Sequence, residues 1–336
     1  MKIVDVGERK IGDAQPTYII AEIGINHGGS VERAKEMVDA AWQSGADAVK
    51  IQSFITDDFL HKSHPSYQYD VEAEISKEKE LEIWEYAGKK EINLFATPEE
   101  FRSLSFIKSL SPNLVKIAAM DFNYKDLVVA AARINKPIIL SSGMCSLEEV
   151  LRTVRWVKEA GNDRYIVLHC VSNYPSEPKS CNLNAIRTLK NSLNCPVGFS
   201  DHTVGIHIAL TAVALGANVI EKHFTLDHTQ NGPDHRCSAD PGELRQLVSQ
   251  IRDFESARGD GVKRPAIEEN EPRVHKRRGI YAIDYLSAGT LLTKKNVLFL
   301  APSSETSTLE LWPRMERARL NKDVPARQLI EIGDIE

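Results

Sequence analysis

Short apolar runs alternate with longer amphipathic stretches from residue 18 to about 258. The runs YIIAEIG (18–24), DAVKIQ (47–52), NLFATP (93–98), NLVKIAA (113–119), PIILSSG (137–143), YIVLHC (165–170), PVGFS (196–200) and NVIEKHF (218–224) carry strand signatures. They are rich in Val and Ile and too short for buried helices. Between them lie helical patterns such as 31–45 and 146–161, each ending in glycine, and the second opens with a Ser-x-x-Glu capping box. Strand followed by helix eight times predicts an α/β (β/α)8 barrel, a TIM barrel. A doubly wound open sheet usually has a Gly-rich first turn, and no GxGxxG occurs here.

The texture changes after residue 259. Residues 260–279 are charged, carry two prolines and lack periodicity, which predicts a linker. Residues 280–336 contain short β-like runs broken by turn residues and predict a small, mostly β domain. The division expected is therefore 1–259, 260–279 and 280–336.

In a barrel, chemistry collects at the carboxyl ends of the strands. The ionisable or hydroxyl residues there are Glu22, Lys50, Thr97, Lys116, Ser141, His169, Ser200 with His202, and Glu221 with His223. Alternation puts Lys50 and Gln52 on one face, and Glu221 and His223 on one face with Lys222 opposite. Charge at the end of an apolar strand is expensive unless something binds it. Two lysines on separate strands, with Thr97, Ser141, Ser142 and Gly143, suit a small phosphorylated or carboxylated anion. The plainer alternative is that each lysine pairs with a neighbouring carboxylate. His202 and His223 are candidates to share a metal ion, or for ordinary hydrogen bonding. Glu22 is a candidate base or water-orienting group.

Composition narrows the field. The 336 residues are 42% hydrophobic with a net charge of -5, ordinary globular material with no bulk attraction to nucleic acid or anionic membranes. No run approaches a membrane span, and the first residues lack the apolar core of a signal peptide. Five dispersed cysteines without a CxxC pair read as reduced thiols, so a cytoplasmic protein is expected.

AEIGINHGG, VKIQ, FATP, VKIA, SSGM, HCVSNYPS, GFSDHT, EKHFTL and GPDH, in this order, closely resemble the sialic acid synthase family over about residues 16–258. The likeness continues more weakly into a carboxyl-terminal antifreeze-like (SAF) domain. It implies a metal-dependent condensation of phosphoenolpyruvate (PEP) with an N-acylated aldohexose such as N-acetylmannosamine, giving a nine-carbon sugar acid and phosphate. By motif it implies that His202 and His223 hold a divalent ion, commonly Mn2+, with Mg2+ or Co2+ as alternatives. It further implies that Glu22 handles the proton of the attacking water. Lys50, Thr97, Lys116, Ser141, Asn173 and Ser200 would cradle PEP, and Gln52, Asp121, Tyr174 and Asp234 would contact the sugar. Glu221 is left between support of the metal and a plain ion pair, and Lys222 is expected to pair with a helix. A domain-swapped homodimer is also implied.

The chain departs from the family pattern at three positions. Ala119 and Asp121 stand where serine and glutamate are usual, and Ala301 stands where arginine is expected. These departures make a different sugar or acyl group plausible, as in legionaminate-type synthases; the cluster Arg273, Lys276, Arg277 and Arg278 is either compensation or a solvated linker. The segment 53–70, long and rich in His, Tyr and Ser, is read as a lid. Phe101, Phe106 and Trp156 are expected in the core, and Cys170 as buried filler. Two other readings compete: a class I aldolase with Lys50, Lys116 or Lys222 forming a Schiff base to pyruvate, and a non-catalytic sugar-binding barrel.

Overall fold

The computed structural model describes residues 2–336. They form two compact units, Met1–Gly259 and Asp260–Glu336. The strands of the first are β1 (Val4–Val6), β2 (Arg9–Ile11), β3 (Tyr18–Gly24), β4 (Ala48–Ser53), β5 (Leu94–Pro98), β6 (Val115–Ile117), β7 (Ile138–Ser141), β8 (Tyr165–Cys170), β9 (Val197–Asp201) and β10 (Val219–His223). Strands β3 to β10 pair in parallel and close into a barrel, with β10 returning to β3. The α/β barrel read from the alternating pattern is the fold observed.

Local chemistry explains the helices between strands. Ser30 caps the helix Val31–Gln43 through the Arg33 N–H, and Gly45 follows its end with a φ of +94°. The Ser146 and Glu149 capping box opens the helix Leu147–Glu159 as its sequence predicts. Helix faces pack on the outward side chains of the strands, among them Ile19, Ala21, Val49, Ile51 and Ile220.

The inward side chains form a second, smaller core of Tyr18, Ile20, Ala48, Phe95, Leu114, Ile139, Ile166, Leu168 and Val219. An antiparallel hairpin, β1 with β2, adds Val4, Val6 and Ile11 to this core and so plugs the amino-terminal opening. The hairpin lies ahead of the region where the repeating pattern was read. Period-two alternation then carries each strand from apolar inward residues at this end to polar ones at the other. Gly198 marks how tight the interior is: a Cβ there would meet the Val219 carbonyl oxygen at 2.5 Å and Leu168 Cδ2 at 2.6 Å.

In the second unit, β11 (Gly279–Ala282) and β12 (Val297–Leu300) pair antiparallel. A core of Ile280, Leu292, Val297, Trp312, Met315, Val324 and Ile330 packs around them. This is the small β domain expected. The stretch read as a featureless linker is in part helical, with a turn at Ile267–Glu269 and a short helix Asn270–Lys276. The Val274 carbonyl of that helix accepts the Ser303 N–H at 3.1 Å. Its charged, aperiodic sequence hides a helix because only Val274 offers an apolar contact.

Residues 53–70 do not form a plain loop. They contain the helix Thr56–Phe59 and run into Tyr67–Ala73, and Phe54 and Phe59 pack with Ile25 and Ala73. Phe106 and Trp156 are half-buried, but Phe101 is exposed and stacks edge-on against Tyr124 instead of entering the core.

Replacing Gly198 with alanine forces a methyl group against a backbone carbonyl in a filled interior. Gly198→Ala is expected to lower stability by about 1–3 kcal/mol, as overpacking does, read as a shift in the urea unfolding midpoint at unchanged slope.

Candidate active site

At the carboxyl end of the barrel the inward positions turn polar, and Glu22, Lys50, Gln52, Thr97 and Lys116 line one cavity with Ser141, Tyr174, Ser200, Glu221, His202 and His223. The four charged side chains nearest its floor are almost wholly buried. Lys50 Nζ lies 2.6 Å from Glu22 Oε2 and donates to Thr97 Oγ1 at 3.0 Å. Lys116 Nζ donates to both oxygens of Glu221, at 2.9 and 3.1 Å, and Lys50 lies 3.8 Å from the same carboxylate. Glu221 is thus an ion-pair partner of both lysines, the plainer of its two sequence readings.

The environment drives these groups apart. Burial would raise Glu221, but Lys116 and Lys50 outweigh it and hold the carboxyl well below its ordinary range. Burial pushes the Glu22 carboxyl up, against the pull of Lys50. Burial works against the Lys50 ammonium too, yet the Glu22 and Glu221 carboxylates hold it above its ordinary value. At Lys116 burial prevails, and the amine is held below. Burial thus shifts one carboxyl up and one amine down, beside a carboxyl and an amine whose partners hold them in their charged forms.

The two histidines meet across the same cavity, with ring centroids 5.4 Å apart. His202 Nδ1 lies 2.7 Å from the Val171 carbonyl oxygen, so Nδ1 carries the proton and donates. The Ser200 hydroxyl, 3.3 Å from Nε2, donates its single proton to Glu221 Oε1 at 2.9 Å. The lone pair of His202 Nε2 is left without a donor. Burial, with the His223 ring beside it, brings this imidazole down to about 3, so it is neutral at physiological pH. His223 Nδ1 faces Asp234 Oδ2 at 3.3 Å. Burial lowers this imidazole, but Asp234 outweighs it and the net shift is upward. A carboxylate behind a histidine ring is a common support for metal ligation by the other nitrogen. Two such imidazoles fit a divalent cation that completes its shell with substrate oxygens and water. Among the described residues, the triad whose ligand atoms all lie within 4.8 Å of one another is His228, Asp240 and Glu243, and none of these lines this cavity. The barrel mouth therefore suits an open site and not a closed structural one.

The remaining candidates fall out as follows. The Tyr174 ring stacks on His202 with centroids 4.1 Å apart. Asp121 sits in the turn after β6, buried, with Oδ2 unpartnered. Ser141 Oγ is buried without a partner. Asn173 is turned away: it is exposed, and its amide donates to the Pro175 carbonyl at 3.0 Å. Its neighbour Ser172 instead has a buried, unpartnered hydroxyl beside Gly143. Period two corrects His169, which faces outward and pairs through Nε2 with the Cys181 carbonyl at 2.7 Å.

A family model described as the NeuB family matches residues 37–263. The chain belongs to the NeuB family. It is 37% identical to the N,N'-diacetyllegionaminic acid synthase of Legionella pneumophila, over 91% of each chain. It is 34% identical to a pseudaminic acid synthase of Campylobacter jejuni, over 94% of each. Among solved structures it resembles the N-acetylneuraminic acid synthetase of Leptospira borgpetersenii, at TM-score 0.76 and 38% identity, covering 81% of this chain and 95% of that one. The chain is an enzyme of the NeuB synthase type. No described helix is long and apolar enough to cross a membrane.

Lys222 has a different place in this NeuB-family barrel from the one its strand pattern predicts. It pairs with the neighbouring strand, not a helix: Nζ donates to Asp201 Oδ2 at 3.0 Å and to the Thr203 carbonyl, and both charged side chains are wholly buried. Asp201 Oδ1 in turn accepts from the Thr203 N–H and hydroxyl. This outer-face cluster grips the residues on either side of His202. Lys222→Met takes the cationic partner from the buried Asp201 carboxyl, and is expected to cost about 3–5 kcal/mol. Chemical denaturation measures it, with retention of the midpoint as the contrary result.

Proposed function

We propose that the chain is a nonulosonic acid synthase that condenses phosphoenolpyruvate with an N-acylated aldohexose in a metal-dependent reaction. The observation that carries this reading is the cavity floor, where two buried ammonium groups stand beside two neutralising carboxyls and a pair of imidazoles. A trianionic substrate could replace the carboxylates as partner of Lys50 and Lys116, with Thr97, Ser141 and Ser200 supplying hydroxyl donors. In the balanced reaction, C3 of PEP forms a bond to the aldehyde carbon and water adds at C2. Phosphate then leaves with its bridging oxygen. Glu22, pushed up by burial, is suited to take the proton of that water and return it. His202 and His223 would hold the divalent ion, Mn2+ by the family resemblance, which when bound supplies Lewis-acid polarisation of the aldehyde.

The relative named as an N,N'-diacetyllegionaminic acid synthase supports a diacylated acceptor such as a 2,4-diacetamido hexose, and the N-acetylneuraminic acid synthetase supports N-acetylmannosamine. Ala119 and Ala301, which remove side chains expected for the latter, point to the former. The antifreeze-like character of the second unit and the homodimer rest on the resemblance alone. Analytical ultracentrifugation reads the second as a species of twice the chain mass.

One observation favours a second reading. The Lys116 amine is held below its ordinary value, as a Schiff-base lysine requires. Borohydride trapping with pyruvate separates the two: a covalent adduct on Lys116 supports a class I aldolase, and none supports the synthase.

Mass spectrometry of products from a panel of N-acyl hexosamines incubated with PEP and Mn2+ tests the proposal directly. A nine-carbon acid with release of phosphate is expected; no product from any sugar overturns it. His202→Ala and His223→Ala are each expected to abolish turnover, and chelator to do the same to the wild type. Glu22→Gln is expected to keep PEP binding in calorimetry while suppressing phosphate release; unchanged release reassigns the water-handling role.

A further inference from the structure

The turn after β3 and the loop after β10 meet beside His223, and one buried amide joins them. Asn26, in the turn that follows the strand of Glu22, donates through Nδ2 to the Phe224 carbonyl at 2.9 Å and to Ser238 Oγ at 2.9 Å. Ser238 Oγ donates in turn to the Asp234 carbonyl at 2.8 Å. Asp234 is the carboxylate that faces His223 Nδ1. Asn26 is only 3% exposed and Ser238 2%. The backbone is tied here as well. The Phe224 N–H donates to the Glu22 carbonyl at 2.7 Å, and the Ala239 N–H to the His223 carbonyl at 2.7 Å.

These side-chain bonds have one direction. The Phe224 oxygen only accepts, so the amide turns its nitrogen that way, and the same nitrogen meets Ser238 Oγ as a donor. A serine hydroxyl has a single proton, and here it goes to the Asp234 carbonyl. Gly24 leaves room for the approach: its φ is +54°, and a Cβ there would meet Glu22 Oε1 at 3.1 Å and Asp234 Oδ2 at 3.5 Å. The turn that holds Asn26 therefore passes close to both carboxylates. Residues 224–240 contain no helix or strand. With no regular element to fix it, Asp234 depends on anchors such as the Asn26–Ser238 link for its place beside His223.

We propose that Asn26 and Ser238 are positioning residues that hold Asp234 against His223 and so preset that imidazole for the divalent ion. This rests on the metal-dependent reading above. Neither side chain lines the cavity, so neither is a catalytic residue. Both act through Asp234: a carboxylate that orients a ligating imidazole raises metal affinity, and loosening that carboxylate lowers it. Asn26→Asp keeps the shape and reverses the bonds. A carboxylate in place of the amide only accepts, so it has no proton for the Phe224 carbonyl and draws the Ser238 proton away from Asp234. Ser238→Ala removes the middle link alone.

The test titrates Mn2+ alone into the full chain and reads binding from the loss of the free-ion electron paramagnetic resonance signal. It compares the wild type with Asn26→Asp, Ser238→Ala and Asp234→Ala, and with each of the first two combined with Asp234→Ala. Asp234→Ala is expected to weaken Mn2+ binding by about tenfold or more, and Asn26→Asp and Ser238→Ala by about fivefold or more each. Because both act through Asp234, each double variant should bind within about twofold of Asp234→Ala, whereas losses from a merely structural role would multiply. The inference is overturned if any of the three single variants binds Mn2+ like the wild type, or if the losses multiply in the double variants. Should Asn26→Asp not fold, Ser238→Ala and its double variant decide it alone. Wild-type protein that binds no Mn2+ overturns the metal-dependent reading, and this one with it.

Discussion

Everything at the barrel mouth depends on keeping two lysine ammonium groups out of water. An ionised group moved into a protein interior without compensation costs several kcal/mol, and Lys50 and Lys116 are both almost wholly buried. Glu22 and Glu221 compensate them from strands β3 and β10, which are neighbours across the closure of the barrel. The four charges sum to near zero without ligand. That arrangement lets four buried charges fold together, and in the proposed reaction an incoming anion would take over the two ammonium groups. A site built from lysines alone would not fold well. One built from fully satisfied pairs with ordinary proton affinities would have no reason to open.

The imidazoles obey a related rule. His202 is orientated by a backbone carbonyl on one nitrogen and left bare on the other, because the hydroxyl nearest that nitrogen has already given its proton to Glu221. Its backbone is fixed from behind by the wholly buried Lys222–Asp201 pair. Charge on the outer face of the strands thus serves geometry, and charge on the inner face serves binding.

Much of this was legible in the sequence, and for a physical reason. Parallel strands buried on both faces must be apolar runs, so all eight stand out, and period two assigns Lys50, Thr97, Lys116, Ser200 and His223 to the interior. The same rule would have excluded His169. Motif position alone misplaced Asn173, since a motif says which residues are adjacent but not which way the turn at Tyr174-Pro175 directs them. The amino-terminal hairpin, although Val4, Val6 and Ile11 alternate plainly, escaped because its importance lies in what it covers. The partner of Lys222 escaped because strand order across the barrel is tertiary information.

The hairpin of β1 and β2 bears on access. Val4, Val6 and Ile11 join the inward apolar core that closes one end of the cylinder, so the polar cavity at the other end has a single mouth, and any group that reaches Lys50 and Lys116 passes through it.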